Sequence, residues 1–303
     1  MSNSGFFYNA LRGTNSTTSY ILTICCILIS YGFLGSVPLL LDLKFHGYSF
    51  SQFTSMNDMI KILGKSRFLL HILFPFLLVF ISLWIGIKFF HKRPFLSLFN
   101  NFSHFRWKRV LSSFIIWMIG MSIILGFTII GSDEIVLNFD LQKFIPLFFI
   151  SIVFIPIQTT TEELFFRSYM SQGIHPFIKN GLLTILMTSL AFALLHIFNP
   201  EVQKIGNILI LYYLITGIFL GLITLMDDGI ELAMGYHAAN NFFTSIMITN
   251  DWQVFRTDAV FIDYSTPTFT WDAIATLLII QPLLIFVFSK IYKWKNWKEK
   301  VFS

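Results

Sequence analysis

A chain of 303 residues with 55% hydrophobic and only 12% charged side chains, and a mean hydropathy of +0.71, is not an ordinary soluble domain, where about 25% of residues are charged. Its net charge of +5 comes from basic residues that flank apolar runs, with no separate basic domain, so nucleic acid is not an expected partner. The two cysteines, Cys25 and Cys26, are adjacent in an apolar run and offer neither a metal-ligand spacing nor a disulfide framework. The composition is that of an integral membrane protein, with the lipid bilayer as its first partner.

Taken in order, the first eighteen residues are polar, and the apolar run Tyr20–Leu41 follows. That run is too long for a signal-peptide core and is read as a retained first helix. Lys44–Arg67 is a mixed, partly amphipathic connection. Helix two is expected over Phe68–Phe90, then a basic loop, helix three over Val110–Gly131 and an acidic exit loop. Helix four starts near Phe144 and reaches about Gly173, roughly 45 Å at 1.5 Å per residue. This exceeds the ~30 Å hydrocarbon core, so it must tilt, protrude or bend, with Pro156 the natural bending point.

Helix five is expected over Gly181–Phe198, helix six over Gly206–Met226, helix seven over Ile230–Ile248 and helix eight over Trp271–Ile291. Gly217 and Gly221 in helix six form a GxxxG spacing suited to close packing. The tail from Lys293 is basic and aromatic, as an interfacial anchor should be. The fold class is therefore all-α, a polytopic membrane protein with about eight transmembrane helices. Three regions are expected: 1–143 with three spans and interfacial loops, 144–250 with spans four to seven, and 251–303 with a loop, the last span and the tail. Eight helices put both termini on one side. Lys and Arg divide 14 with the termini against 7 opposite, which predicts a multi-pass protein of the cell membrane with both termini cytoplasmic.

Within this apolar chain, Thr159–Arg167 is the exception. Ionisable groups at membrane depth cost several kcal/mol and usually face a protein interior that does something. Glu163 and Arg167 are four apart and can pair on one helical face, whereas Glu162 is turned about 100° away and stays available. Helix five adds Phe192 and His196, and helix seven adds His237 and Asn241, again four apart. Counting from the helix ends puts Glu162, His196, His237 and Asn241 at depths of roughly 17, 22, 10 and 16 Å from one side. One layer can therefore hold all four. The bland alternative for each histidine is a satisfied core residue; His71, alone in helix two, is read that way, and His46, His91, His104 and His175 are assigned to loops.

Such a set suits peptide-bond hydrolysis without a covalent intermediate. A carboxylate and an imidazole can take a proton from water as it attacks a carbonyl, and a second imidazole with an amide can donate to the oxyanion. Glu162, His196 and His237 are also a ligand type for catalytic zinc, so a metal-bound water is a second version. Neither HExxH nor GxSxG is present.

Glu162-Glu163-xxx-Arg167, Phe192-xxx-His196 and His237-xxx-Asn241, in this order on successive late helices, resemble the CPBP family of CAAX prenyl proteases of the second type, bacteriocin-processing enzymes and abortive-infection proteins. The resemblance covers about Phe144–Asn250. It implies a CAAX prenyl protease 2-like fold, an intramembrane endopeptidase activity, and a peptide or CAAX-like protein as substrate. It implies Glu162 as general base, His196 as its partner on the water, His237 and Asn241 as the oxyanion hole, and Glu163 with Arg167 as a buttress. Family members are described both as metalloproteases and as glutamate-dependent enzymes that need no metal. After the motif arginine, where many members have Gly, this chain has Ser168. Two readings from other classes stand beside the protease: a non-catalytic immunity or scaffold protein on the same fold, and a proton-coupled transporter.

Overall fold

An apolar run in lipid must close its backbone hydrogen bonds internally, and a helix does so. The expected runs become helices in the computed structural model, which describes residues 5–49 and 55–302. The stretch 50–54 of the Lys44–Arg67 connection lies outside the described residues. Among the described residues, six helices are long and apolar enough to cross a membrane: Thr17–Phe45, Lys65–Phe90, Trp107–Gly131, Leu141–Ile178, Ile208–Asp227 and Trp271–Ile291. The protein is therefore a multi-pass membrane protein. These are the first, second, third, fourth, sixth and eighth helices of the expected order.

The fifth and seventh helices also form, as Gly181–Leu195 and Glu231–Met247. With 15 and 17 residues they run about 22 and 25 Å, short of the hydrocarbon thickness. The seventh is the least lipid-like of the eight. Most of its length is buried, because it packs between the third and fourth helices. Its polar side chains are thereby enclosed by protein. Gly235 makes the approach to the third helix possible: a Cβ there would run into the backbone carbonyl of Val110.

The GxxxG spacing of the sixth helix is used as expected. Gly217 faces Ser189 and Gly221 faces Ile185 of the fifth helix, where added Cβ atoms would come within 3.0 and 2.7 Å of those side chains. The fourth helix is longer than the sequence suggests, capped by Asp140 and continuous through Pro146 and Pro156. Its departure from α geometry falls beyond Pro156, in a π-helical stretch at Leu164–Met170. It then continues to Ile178 and turns sharply at Lys179, whose φ is 52°.

Between the helices, the loops contribute one small sheet. Strand β1 (Ile135–Leu137) pairs antiparallel with β3 (Phe261–Asp263), and β2 (Ile248–Thr249) pairs parallel with β3, in the order β1-β3-β2. The sheet continues directly from the end of the seventh helix and fixes that end against the loop before the eighth.

Candidate active site

The Thr159–Arg167 stretch sits where the fourth helix meets the second and seventh. Two of its three threonine hydroxyls are engaged by the helix backbone: Thr159 Oγ1 donates to Ile155 O at 3.0 Å and Thr161 Oγ1 to Ile157 O at 2.7 Å. The carboxylates are what remain. A π turn starts immediately after them, and such insertions recur where a helix must re-aim side chains.

The two glutamates divide as their spacing predicts, with one addition. Glu163 is fully buried, and its Oε2 lies 3.3 Å from Arg167 Nε. Its Oε1 also accepts from Nδ1 of His237, at 2.7 Å, on the seventh helix. The Arg167 guanidinium lies 4.2 Å above the ring of Phe192, a cation–π contact that partly compensates its desolvation. Glu162, by contrast, points into a cavity of about 880 Å³. Its Oε2 has no hydrogen-bond partner among the described residues; His237 Nε2 is 3.6 Å away, beyond hydrogen-bond length.

This arrangement fixes the state of His237. A carboxylate only accepts, so Nδ1 carries the hydrogen, and Nε2 is the atom turned to Glu162 and the cavity. Asn241, one turn further along, places Nδ2 at 3.1 Å from Gln158 Oε1 and 3.4 Å from His237 Nε2. An amide nitrogen has two hydrogens, so Gln158 holds one and the other is directed to His237 Nε2, which accepts while Nδ1 carries the ring hydrogen. Asn240 faces the third helix and accepts from Trp117 Nε1 at 3.2 Å.

His196 ends the fifth helix rather than lying inside it. Its Nδ1 is 2.8 Å from Phe192 O; a carbonyl only accepts, so this nitrogen too is protonated and Nε2 is free to accept. The ring contacts those of Phe192 and Tyr213, with centroids 4.5 and 4.2 Å away. Phe192 therefore touches both Arg167 and His196. Glu162, His196, His237 and Asn241 all line the one cavity. Sequence reasoning missed Gln158, although its position one turn before Glu162 was a usable signal. It also missed Tyr213 and Glu201, for which the sequence carries no local signal.

Glu162, His196 and His237 do not converge as a metal-ligand set: among the described residues no three His, Cys, Asp or Glu side chains do so. The donors fit a zinc site by type but not by arrangement.

The other histidines need revision. His71 pairs with Asp42 at 2.7 Å and is the satisfied residue expected. His91 and His175, assigned to loops, are buried. His91 lies between Thr14 O and Tyr169 Oη, both at 3.0 Å. His175 lies in the last turns of the fourth helix and meets Thr184 Oγ1 at 3.0 Å. The fourth helix is longer than predicted, and the N-terminal segment Phe6–Arg12 packs over its end; both cover residues that the sequence left outside.

Residues 141–243 match the family model of Rce1-like proteins, the type II CAAX prenyl endopeptidases. That segment is similar to the Rce1-like family. It carries every residue of the three motifs, from Glu162 to Asn241. The chain is also 28% identical over 235 residues to the uncharacterized protein YyaK of Bacillus subtilis (strain 168), covering 77% of this chain and 76% of that protein. No solved structure matches it significantly.

Proposed function

We propose that the protein is an intramembrane endopeptidase that hydrolyses peptide bonds of membrane-associated substrates with a water activated by Glu162 and His196. The observation that carries this reading is Glu162, which lines the cavity and whose Oε2 has no hydrogen-bond partner among the described residues, beside an imidazole whose other nitrogen is held by Glu163. In this reading Glu162 takes a proton from water as its oxygen attacks the carbonyl carbon, and Nε2 of His196 accepts from the same water and orients it. The carbonyl oxygen becomes negative and is met by Asn241 Nδ2–H and, in its protonated form, by His237 Nε2–H. The C–N bond then breaks, and the nitrogen leaves with the proton that Glu162 took up. Glu163 and Arg167 touch no substrate; they hold His237 and tie the helix end together.

In this reading the region 144–250 bears the chemistry, with 1–143 and 251–303 as its flanking helices, and both termini are cytoplasmic, as the distribution of Lys and Arg supports. The cavity walls are largely apolar, with Tyr31, Phe76, Val79 and Phe165 among them. An extended peptide carrying an apolar group, prenylated or not, suits such walls.

The test is cleavage of a peptide library, with and without a farnesylated cysteine, by purified protein in lipid nanodiscs, read by mass spectrometry. Wild type is expected to cleave, and folded Glu162→Gln and His196→Ala to fall by at least a hundredfold. Equal cleavage by all three, or none by folded wild type, would leave the non-catalytic immunity or scaffold role in possession of the fold.

A further inference from the structure

The ring of His196 is held by more than its own helix. Tyr213, on the sixth helix, lies with its ring centroid 4.2 Å from that of His196 and the planes 31° apart, a close, tilted ring-on-ring contact. The phenol is itself anchored: Tyr213 Oη donates to Glu201 Oε1 at 3.0 Å. Glu201 also accepts from Asn199 Nδ2 at 3.2 Å and from the backbone N–H of Val254 at 3.2 Å. One carboxylate thus joins the turn after His196, the sixth helix, and the loop between the seventh and eighth helices. All of these residues border the cavity that Glu162 faces.

We propose that Tyr213 and Glu201 are positioning residues for His196. The inference rests on the hydrolase reading above and deepens it. His196 stands past the last α-helical residue of its helix, at Leu195, where the backbone alone constrains a side chain least. Its Nδ1 bond to Phe192 O fixes one nitrogen but not the tilt of the ring. The ring contacts with Phe192 and Tyr213 fix the tilt, and Glu201 keeps Tyr213 from swinging into the cavity. Nε2 is thereby presented to the water beside Glu162. A misplacement of about 1 Å in such a group is worth up to a hundredfold in rate.

The arrangement predicts a graded series. Tyr213→Phe keeps the ring contact and loses the anchor, Glu201→Gln keeps the shape but turns an amide donor towards the donors that surround it, and Tyr213→Leu loses the ring contact. In nanodiscs, on a peptide that wild type cleaves, kcat is expected to fall about tenfold for Tyr213→Phe and Glu201→Gln and about a hundredfold for Tyr213→Leu. KM is expected to stay within about twofold, since no ground-state contact with substrate is lost. Partial rescue by Phe relative to Leu is the signature of positioning by the ring contact.

Glu162→Gln and His196→Ala run in the same assay. If both abolish cleavage while all three variants keep the wild-type kcat, or lose only in KM, the positioning role is overturned and the hydrolase reading stands. If Glu162→Gln and His196→Ala cleave like wild type, the hydrolase reading fails and this inference with it. Should Tyr213→Leu unfold, the nearly isosteric Tyr213→Phe and Glu201→Gln decide the matter.

Discussion

Glu163 and His237 are 74 positions apart, and they meet through Oε1 and Nδ1 at 2.7 Å inside a buried contact that also includes Arg167. The carboxylate serves two partners at once, one on its own helix and one across the bundle. It sets the tautomer of the histidine and neutralises the arginine, so its loss should be felt in both chemistry and stability.

Glu163→Gln tests this. The amide oxygen can still accept from His237, but the buried guanidinium loses its counter-charge, a change of about 3 kcal/mol for buried pairs. The expected outcome is a clear drop in thermal stability in detergent, together with loss of cleavage. Glu163→Gln combined with Arg167→Met should recover much of the stability and none of the activity. Full recovery of cleavage by the double variant would show that the pair has no part in holding His237.

Asn241→Ala removes the amide that faces the cavity beside His237. Loss of a single oxyanion donor typically costs 10²–10³ in kcat, and KM should change little. The protein should stay folded, since Asn241 is only part-buried and its side-chain partners are Gln158, His237 and Asn240. A variant with unchanged kcat would remove Asn241 from the proposed oxyanion hole.

These contacts mark what the sequence could and could not disclose. The helices were legible because apolar runs in lipid have few alternatives, and the Glu162, Glu163, His196, His237 and Asn241 set stood out because charge and amide are costly there. The Glu163–Arg167 pair follows from a spacing of four. The bond from Glu163 to His237 does not, because it depends on the rotation of two helices about their axes. The same holds for Tyr213: a tyrosine in an apolar helix looks like any other until the sixth helix is packed on the fifth. Burial of His91 and His175 was hidden for a related reason, since the N-terminal segment that covers the region folds back from far away in sequence.

Gly235 offers a purely steric test of how the seventh helix is placed. Its Cα faces the backbone carbonyl of Val110, and a carbonyl, unlike a side chain, cannot rotate away. Gly235→Val should destabilise the protein by about 1–3 kcal/mol, the usual cost of overpacking, and displace His237 two residues on. Cleavage should fall with it. The control is Gly126→Val, where nothing lies within 4 Å of an added Cβ; a loss of equal size there would mean that the close approach is not the cause.

Chelation separates the two versions of water activation. With Glu162, His196 and His237 not converging on a point, cleavage should survive prolonged EDTA treatment within about twofold, and elemental analysis of active protein should find no stoichiometric zinc. Loss of activity that zinc restores would show that the three side chains regroup around an ion.

The last prediction concerns pH and lies away from the cavity. His91, just past the end of the second helix, is held down to about 4 from 6.5 by burial, with Arg93 beside it acting in the same direction and the bond to Thr14 O opposing. Tyr169 and Tyr20 complete its surroundings. The folded protein therefore keeps this imidazole neutral, donating through Nδ1 to Thr14 and accepting through Nε2 from Tyr169. Between pH 6.5 and about 4 the unfolded chain binds a proton here that the folded chain does not. Stability consequently rises with pH across that window and is lost on acidification. Thermal unfolding in detergent should show a midpoint that falls from pH 7 to pH 5, and His91→Gln, which cannot titrate, should flatten this slope. The wild-type slope persisting unchanged in His91→Gln would assign the acid sensitivity to another group.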